Sequence, residues 1–350
     1  MAMNFEKEIF ELPRVLRMLE EKGSVEYDRL VRRVRWGESP LYFLGAGAAK
    51  PVALAGAMAF ESLCEWPAVT RSAEEFAAYS MPLVHPRTVL FFISDGKDSE
   101  ETLELARAAQ SRGAIVLIVG GNPEADLAKR ADALFFAIPG EETCHGLALA
   151  VCQHTAVSLT ALAAARATRK PRPQFETLRA EMAELPNHLE RTFGQFGDAV
   201  RTFASEIPQA GTLTILAGGF YFPVALHAQS VFERRGTATV RLINVADPSG
   251  YFHSPFHGGE TVLIFTGSRS RTKKSLLRQV ELARKAGSKV LAITDGGDPE
   301  ISRRATLSLL LPTLSEMTGS ILSLTLLGWI GHELKLAERR ATIQARPSRK

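Results

Sequence analysis

The stretch PVALAGAMAFE, residues 51–61, returns at residues 223–233 as PVALHAQSVFE, with its Pro-Val-Ala-Leu start and closing Phe-Glu kept. Each copy follows a short apolar segment that runs into glycines, PLYFLGAGAAK before the first and LTILAGGFYF before the second. Such a segment predicts a strand and a tight loop, and each copy itself predicts a helix. The chain therefore carries the same strand, loop and helix twice.

The repetition continues beyond these copies. RTVLFFISDGKDS, from residue 87, is answered by ETVLIFTGSRSRT, from residue 260, and the later segment around Gly113 is answered around Gly287. The offset between paired positions grows only from 172 to 174 residues over this span. A nearly constant offset indicates a duplicated unit with small changes in its loops.

Each half alternates strands with amphipathic helices and ends in a long apolar helix, at about 145–167 and 316–335. This alternation predicts an α/β fold made of two tandem doubly wound, flavodoxin-like parallel sheets with helices on both faces. We expect four segments. They are a helical leader at 1–35, a first domain at 36–170, a linker helix at 171–205 and a second domain with a C-terminal tail at 206–350.

Charge and composition exclude several classes of function. The formal net charge of +4 is mild and lies largely in the tail RPSRK, so no nucleic-acid surface is predicted. The N-terminus lacks a signal-peptide pattern, and we find no apolar run of about 18 residues free of polar interruptions, so neither secretion nor a membrane partner is expected. Three cysteines, an odd number, favour the reducing cytoplasm.

A metal cluster is the alternative function for one group of cysteines and histidines. Its members are Cys144, His145, Cys152 and His154. They lie in the apolar run TCHGLALAVCQHTAVSLTALAAA, where small buried cysteines are the commoner outcome. We therefore predict no metal site and no cofactor.

The loop after the strand TVLFFI has the composition of an anion site. SDGKDSEET, from Ser94 to Thr102, supplies hydroxyls, a glycine and a lysine at the start of a helix, where backbone N–H groups and the helix dipole attract a phosphate. The alternative is that Ser94, Asp98 or Ser99 only caps that helix.

Two further loops have alternative interpretations. The paired segment SRSRTKKS, Ser268 to Ser275, either holds a second anion or is simply a basic helix start. The earlier loop GAGAAK has Gly45 and Gly47, but Lys50 stands where a dinucleotide fingerprint needs its third glycine. A nucleotide-binding enzyme is therefore the weakest of the alternatives.

Taken in order, these segments resemble the sugar isomerase (SIS) domain family, and specifically the double-SIS arrangement of the isomerase half of glucosamine-6-phosphate synthase and of the fructosamine deglycases. The family's Gly-Thr-Ser appears here as Gly47, Ala48 and Ala49, and its Phe-Glu-Ser follows at residues 60–62. Its Ser-Gln-Ser-Gly-Glu-Thr motif appears as SDGKDS at residues 94–99.

The resemblance implies that these motifs hold the phosphate of a sugar. The implied substrate-binding residues are Gly47, Ala48, Ala49, Ser94, Asp95, Gly96, Lys97 and Ser99. Two family hydroxyls are missing, at Ala49 and Gly96. Lys97 stands where the family usually has glycine, and it either restores attraction for the phosphate or marks a different acidic substrate.

The resemblance also implies catalytic groups in the second half. A family glutamate shuttles a proton between C1 and C2 of the open sugar; strict spacing puts Arg234 there, with Glu233 one residue earlier. The ring-opening histidine falls on His253, with His257 as the competing choice. The family's C-terminal lysine invites comparison with Lys350.

The resulting expectation is a cytoplasmic, homodimeric phosphosugar isomerase that interconverts an aldose and a ketose through an enediol, with deamination or deglycation as possible additions. Family helix follows almost directly after Met1, so no glutaminase domain is expected before it. The alternative from another class is a non-catalytic sugar-phosphate binder or sensor.

Overall fold

The computed structural model describes residues 5–34, 36, 40–138, 146–169, 172–234, 238–247 and 256–344. The chain divides into two compact units, Glu11–Asn187 and a second made of Met1–Phe10 with His188–Lys350. The chain passes between them twice, once within α1 (Phe5–Met18) and once within α8 (Pro173–Gln195). Helix α8 lies within the segment 171–205 for which the sequence predicts a linker.

Helices precede the first sheet, and strands then alternate with helices. The helices are α1 (Phe5–Met18), α2 (Ser24–Val31), α3 (Lys50–Cys64), α4 (Ala73–Glu75), α5 (Glu100–Ser111), α6 (Asp126–Arg130) and α7 (Gly146–Thr168). The strands are β1 (Leu41–Leu44), β2 (Ala68–Arg71), β3 (Val89–Ser94), β4 (Ile115–Gly120) and β5 (Ala133–Phe136).

The five strands of the first unit are parallel and lie in the order β2-β1-β3-β4-β5. The chain order therefore reverses between β1 and β3. In open α/β sheets, ligands bind outside the carboxyl ends of the strands at such a reversal. The sheet order thus marks the loops after Leu44 and Ser94 as the place to look for a site.

Alternate residues along the central strands pack on opposite faces of this sheet. Tyr42 and Phe92 join the core beneath α5. On the other strand face, Phe43 stacks on Phe91 with ring centroids 4.6 Å apart. A Cβ added at Gly56 of α3 would lie 2.6 Å from Phe43 Cε1, so this glycine allows the helix to approach the ring closely. Helices therefore cover both faces.

Helix α7 is the long apolar helix expected at the end of the first half. Among the described helices, it alone is long and apolar enough to cross a membrane by length and composition. Its apolar window is entirely buried within the folded chain. That burial is the position of a core helix, with α3 as its main neighbour.

The second unit repeats the arrangement. Its helices are α9 (Gly197–Ser205), α10 (Tyr221–Glu233), α11 (Lys273–Lys285), α12 (Pro299–Ser302) and α13 (Glu316–Gln344). Its strands are β6 (Thr212–Ala217), β7 (Thr239–Asn244), β8 (Thr261–Phe265), β9 (Lys289–Asp295) and β10 (Leu307–Leu311). All are parallel, in the order β10-β9-β8-β6-β7. When β6 to β10 are matched in chain order to β1 to β5, this is the strand order of the first sheet.

Glycines at paired positions share their backbone conformation. Gly47 and Gly219 have φ of 54° and 58°, and Gly113 and Gly287 have φ of 86° and 78°. A positive φ is easily adopted only by glycine, so the sequence pairing marks equivalent turns. The predicted fold class, two doubly wound parallel sheets with flanking helices, is confirmed.

Candidate functional site

A cavity of about 380 Å³ opens at the carboxyl ends of β1 and β3, at the reversal of strand order. Its wall is formed by the end of β1 with the loop to α3, the end of β3 with the loop to α5, the first turns of α7, and Ala73 of α4. The polar residues that line it are Ser94, Asp95, Lys97, Asp98, Ser99, Thr102 and Gln153.

The loop after β1 approaches the cavity with backbone and methyl groups. Gly45 is buried, and a Cβ there would lie 2.6 Å from the carbonyl oxygen of Ala49, so the turn needs a glycine. Gly47 has a positive φ and opens the short 3₁₀ turn that leads into α3. Ala48 and Ala49 line the cavity. This wall offers no side-chain hydroxyl to a ligand.

The loop after β3 is organised by hydrogen bonds among its own residues. Ser94 Oγ donates to Asp98 Oδ2 at 2.7 Å and accepts from the backbone N–H of Gly96 at 2.9 Å. The backbone N–H of Lys97 donates to Asp95 Oδ1 at 3.0 Å. Gly96 has φ of 85°, and a Cβ there would lie 3.0 Å from Cβ of Asn122. The serine that the family motif places at this position therefore has little room here.

Asp98 brings a half-buried carboxyl into the cavity wall. Burial raises the pKa of Asp98 above its ordinary value, and nearby Asp95 raises it further. The hydrogen bond from Ser94 acts in the opposite direction but does not cancel the effect of burial. The cavity therefore contains a carboxyl that holds its proton to a higher pH than an exposed aspartate.

Ser99 caps helix α5, as the alternative interpretation of this loop predicts. Its Oγ accepts from the backbone N–H of Thr102 at 3.4 Å, and its hydroxyl lowers the pKa of Glu101 by hydrogen bonding. Ser99 and Thr102 nevertheless both line the cavity. Lys97 is exposed beside them, so the helix N-terminus, two hydroxyls and an ammonium group meet there.

Gln153 is a site residue that sequence reasoning missed, since only a lone amide in an apolar run marks its position. Its side chain is buried, and Nε2 donates to the carbonyl oxygen of Ser94 at 2.8 Å. The bond ties the end of β3 to helix α7. Gln153 thereby holds the start of the SDGKDS loop in place from the opposite wall of the cavity.

Glu233 and His257 lie in the second unit. Glu233 ends α10, is exposed and accepts a hydrogen bond from Gln229 Nε2 at 2.8 Å. The backbone N–H of His257 donates to Glu260 Oε1 at 2.8 Å, just before β8 begins. Glu233 lies at the amino ends of the strands because α10 runs back along the sheet, and His257 lies there because it precedes β8. Their catalytic assignment stays a prediction.

Other predicted residues fall outside the described part of the chain. These are His253 and Lys350 among the site residues, and Cys144 and His145 of the alternative metal cluster. Cys152 and His154 are buried on α7. Over the described residues, no group of three or more histidines, cysteines or acidic residues is arranged to hold a metal ion.

Comparison with known proteins identifies the fold and finds a family model that matches part of the chain. The SIS domain family model matches residues 37–166, which contain most of the cavity wall. The glutamine–fructose-6-phosphate aminotransferase [isomerizing] of Chlorobaculum tepidum is 24% identical over 318 residues, covering 85% of this chain and 49% of that protein. The chain thus spans about half the length of that relative.

Solved structures of similar fold cover nearly the whole chain. The C-terminal domain of glucosamine-fructose-6-phosphate aminotransferase from Francisella tularensis has a TM-score of 0.82 at 14% identity, covering 97% of each chain. Tagatose-6-phosphate ketose/aldose isomerase from Escherichia coli has a TM-score of 0.72 at 16% identity, covering 96% of this chain and 93% of the other. Residues 37–166 therefore match the SIS domain family model, and over its length the chain has the two-sheet fold of these solved structures.

Proposed function

We propose that the protein binds a phosphorylated sugar or amino sugar in the cavity of the first unit and interconverts its aldose and ketose forms through an enediol. Gain or loss of an amine at C1 or C2 is a variant of the same chemistry. The observation that carries the proposal is the position of the cavity, at the strand-order reversal and against the start of α5. The SIS family match over the same residues supports it.

The polar end of this cavity suits a phosphate. Backbone N–H groups and the dipole at the start of α5 attract an anion. Thr102 supplies a hydroxyl, and Lys97 supplies a positive charge that compensates for the missing hydroxyls at Ala49 and Gly96. The apolar wall of Leu149 and Ala150 lies across the cavity from these groups and suits the carbon face of a sugar.

The proposed chemistry needs a carboxylate and an imidazole. A carboxylate can take a proton from one sugar carbon and return it to the next, and an imidazole exchanges protons near neutral pH during ring opening. We assign the first role to Glu233 and the second to His253, with His257 as the competing candidate. Lys350 is proposed to contact the substrate.

The first experiment is a thermal-shift screen with hexose phosphates, amino-sugar phosphates and dinucleotides, followed by an isomerase assay on each compound that binds. We expect sugar phosphates to stabilise the protein. Lys97→Met should weaken their binding about tenfold, a loss of about 1.4 kcal/mol. Lys129→Met, an exposed lysine of the same unit outside the cavity, is the matched control. Stabilisation by dinucleotides alone would refute the proposal.

Turnover tests the catalytic assignment separately from binding. Glu233→Gln should lower kcat about 100-fold or more while the KM changes little, because general acid-base catalysis contributes on that scale. His253→Asn and His257→Asn decide between the two histidines. Replacing the ring-opening residue should lower turnover of the cyclic substrate more than turnover of the open-chain substrate. Replacing the other histidine should not produce this difference. Unchanged turnover in Glu233→Gln would remove this residue from the mechanism.

A non-catalytic sugar-phosphate binder or sensor is the second candidate. The exposed position of Glu233 and its hydrogen bond to Gln229 favour it, since a catalytic carboxylate is usually partly buried. For a binder, sugar phosphates stabilise the wild-type protein but no isomerisation is detected for any of them.

A further inference from the structure

The second unit contains a counterpart of the cavity wall, and one of its own side chains fills the space. The loop Gly218–Phe220 follows β6, and the loop Ser268–Thr272 follows β8. They meet at the strand-order reversal of the second sheet, as the cavity loops do in the first. The carboxylate of Glu316, from the first turn of α13, lies between them.

Glu316 is held by donors from both loops. Ser270 Oγ donates to Glu316 Oε1 at 3.1 Å, and the backbone N–H groups of Arg271 and Phe220 lie near enough to favour the charged form of the same carboxyl and lower its pKa. Ser270 has one hydroxyl proton, so Thr272 is the donor in the 3.1 Å contact between their two hydroxyls. A hydroxyl of one loop therefore donates to this carboxyl group, and backbone N–H groups of both loops lie near it.

The shape of the loop also fits an anion. Gly219 has φ of 58°, and a Cβ on this residue would collide with Glu316 Oε1, so the absence of a side chain makes the space that the carboxylate occupies. Burial raises the pKa of Glu316 above its ordinary value, and the positive charge of Arg271 acts in the opposite direction by attracting the carboxylate. Helix α11 begins directly after this loop and adds the positive end of its dipole.

We propose that the loops Gly218–Phe220 and Ser268–Thr272 form a second anion site, suited to phosphate or a phosphate monoester, and that Glu316 occupies it as a built-in substitute for the ligand. The protein then takes one phosphorylated ligand per chain, in the first unit, and this stoichiometry rests on the proposed function. The second anion considered for SRSRTKKS is thus an internal carboxylate. A carboxylate fixed beside its donors competes with a free anion at high effective concentration.

The test removes the carboxylate and counts bound inorganic phosphate by isothermal titration calorimetry on the full chain. Glu316→Ala should bind one phosphate per chain more than the wild type. Ser315 Oγ still accepts from the backbone N–H of Thr318, so the N-terminus of α13 keeps its cap. Glu300→Ala is the matched control, because it removes an acidic side chain from the first turn of α12 outside these loops. This control should bind as the wild type does.

A double variant shows where the added phosphate binds. In Glu316→Ala/Ser270→Ala, the second phosphate should bind about tenfold more weakly or not at all, because its hydroxyl donor is gone. If Glu316→Ala does not fold, Glu316→Ser empties the same space with a small polar side chain and carries the same expectation. Equal stoichiometry in a folded Glu316 variant and in the wild type overturns the inference.

The outcomes separate this inference from the proposed function. One phosphate in the wild type and two in Glu316→Ala support both. No phosphate in the wild type and one in Glu316→Ala support the second site but contradict binding in the first unit. One phosphate in each overturns the second site and leaves the proposed function standing.

Discussion

The hydroxyl of Ser94 shows how one residue can lie in a binding site and yet be unable to donate to a ligand. Its single proton goes to Asp98, and one lone pair accepts the Gly96 amide. While Asp98 is ionised, Ser94 can only accept another hydrogen bond. Phosphate oxygens also accept, so the donors for an anion must come from Lys97, Thr102 and the backbone N–H groups at the start of α5.

Asp98→Asn should tighten phosphate binding about threefold to fivefold at pH 8, because a half-exposed like charge costs about 1 kcal/mol or less. Burial raises the pKa of Asp98, so the wild-type carboxyl loses its charge at a higher pH than an ordinary aspartate as the pH falls. The advantage of the variant is therefore full above that pKa and disappears below it. The ratio of the two dissociation constants, measured by calorimetry from pH 8 to pH 4, tests this.

Phosphate itself titrates over this pH range, but this changes both dissociation constants equally and therefore cancels in their ratio. Glu104→Gln is the control, since it removes an exposed carboxylate of the adjoining helix α5 that does not line the cavity. A ratio that stays constant with pH, or an equal effect of Glu104→Gln, would contradict a role for the charge of Asp98 at the site.

At the scale of elements, two helices position the cavity. Helix α3 packs closely on β1 because Gly56 leaves room for the ring of Phe43, and α7 fastens the end of β3 through Gln153. The first contact sets the distance between a helix and the sheet. The second holds a loop between two walls. Both depend on side-chain size or polarity in segments that are otherwise uniformly apolar.

Gly56→Ala should destabilise the protein by about 1–2 kcal/mol. Overpacking costs about 1–3 kcal/mol, and the better helix propensity of alanine returns at most about 1 kcal/mol. Phe43 cannot yield easily, because it is fully buried and stacked on Phe91. We expect the midpoint of thermal unfolding to fall by about 2–8 °C.

Gly194→Ala is the paired measurement. Gly194 lies in helix α8, and a Cβ on it meets no atom within 4 Å. Only helix propensity then acts, so the melting temperature should stay level or rise slightly. A fall of equal size in both variants would show that the contact with Phe43 is not the cause.

At the scale of the whole molecule, the two sheets share one strand order but differ in what lies at the strand-order reversal. In the first, the reversal point opens as a cavity, and in the second the carboxylate of Glu316 fills it. The two halves have therefore diverged in their loops while keeping their framework. Within the proposed function, the phosphate binds in the first unit.

We propose that the protein is a homodimer, as its resemblance to double-SIS proteins implies. Size-exclusion chromatography with light scattering should then give twice the mass of the 350-residue chain across a wide range of protein concentration. A mass equal to one chain throughout that range would contradict the proposal.

The sequence by itself determined the framework of this protein. The paired segments PVALAGAMAFE and PVALHAQSVFE predict the first helix of each half, and the structure has α3 and α10 there. The long apolar helices and the loop after β3 were predictable as well. These features follow from hydrophobic periodicity and turn residues, which act over a few neighbouring positions.

Only the tertiary structure decided which polar groups meet. Gln153 bonds to Ser94 across the first unit, and Glu316 reaches Ser270 in the second, although each pair is far apart in the chain. Asp98 and Ser94 are near in sequence, but their hydrogen bond depends on the turn at Gly96. A hydrogen bond requires specific distances and directions between side chains, and these are fixed only when helices and strands have packed.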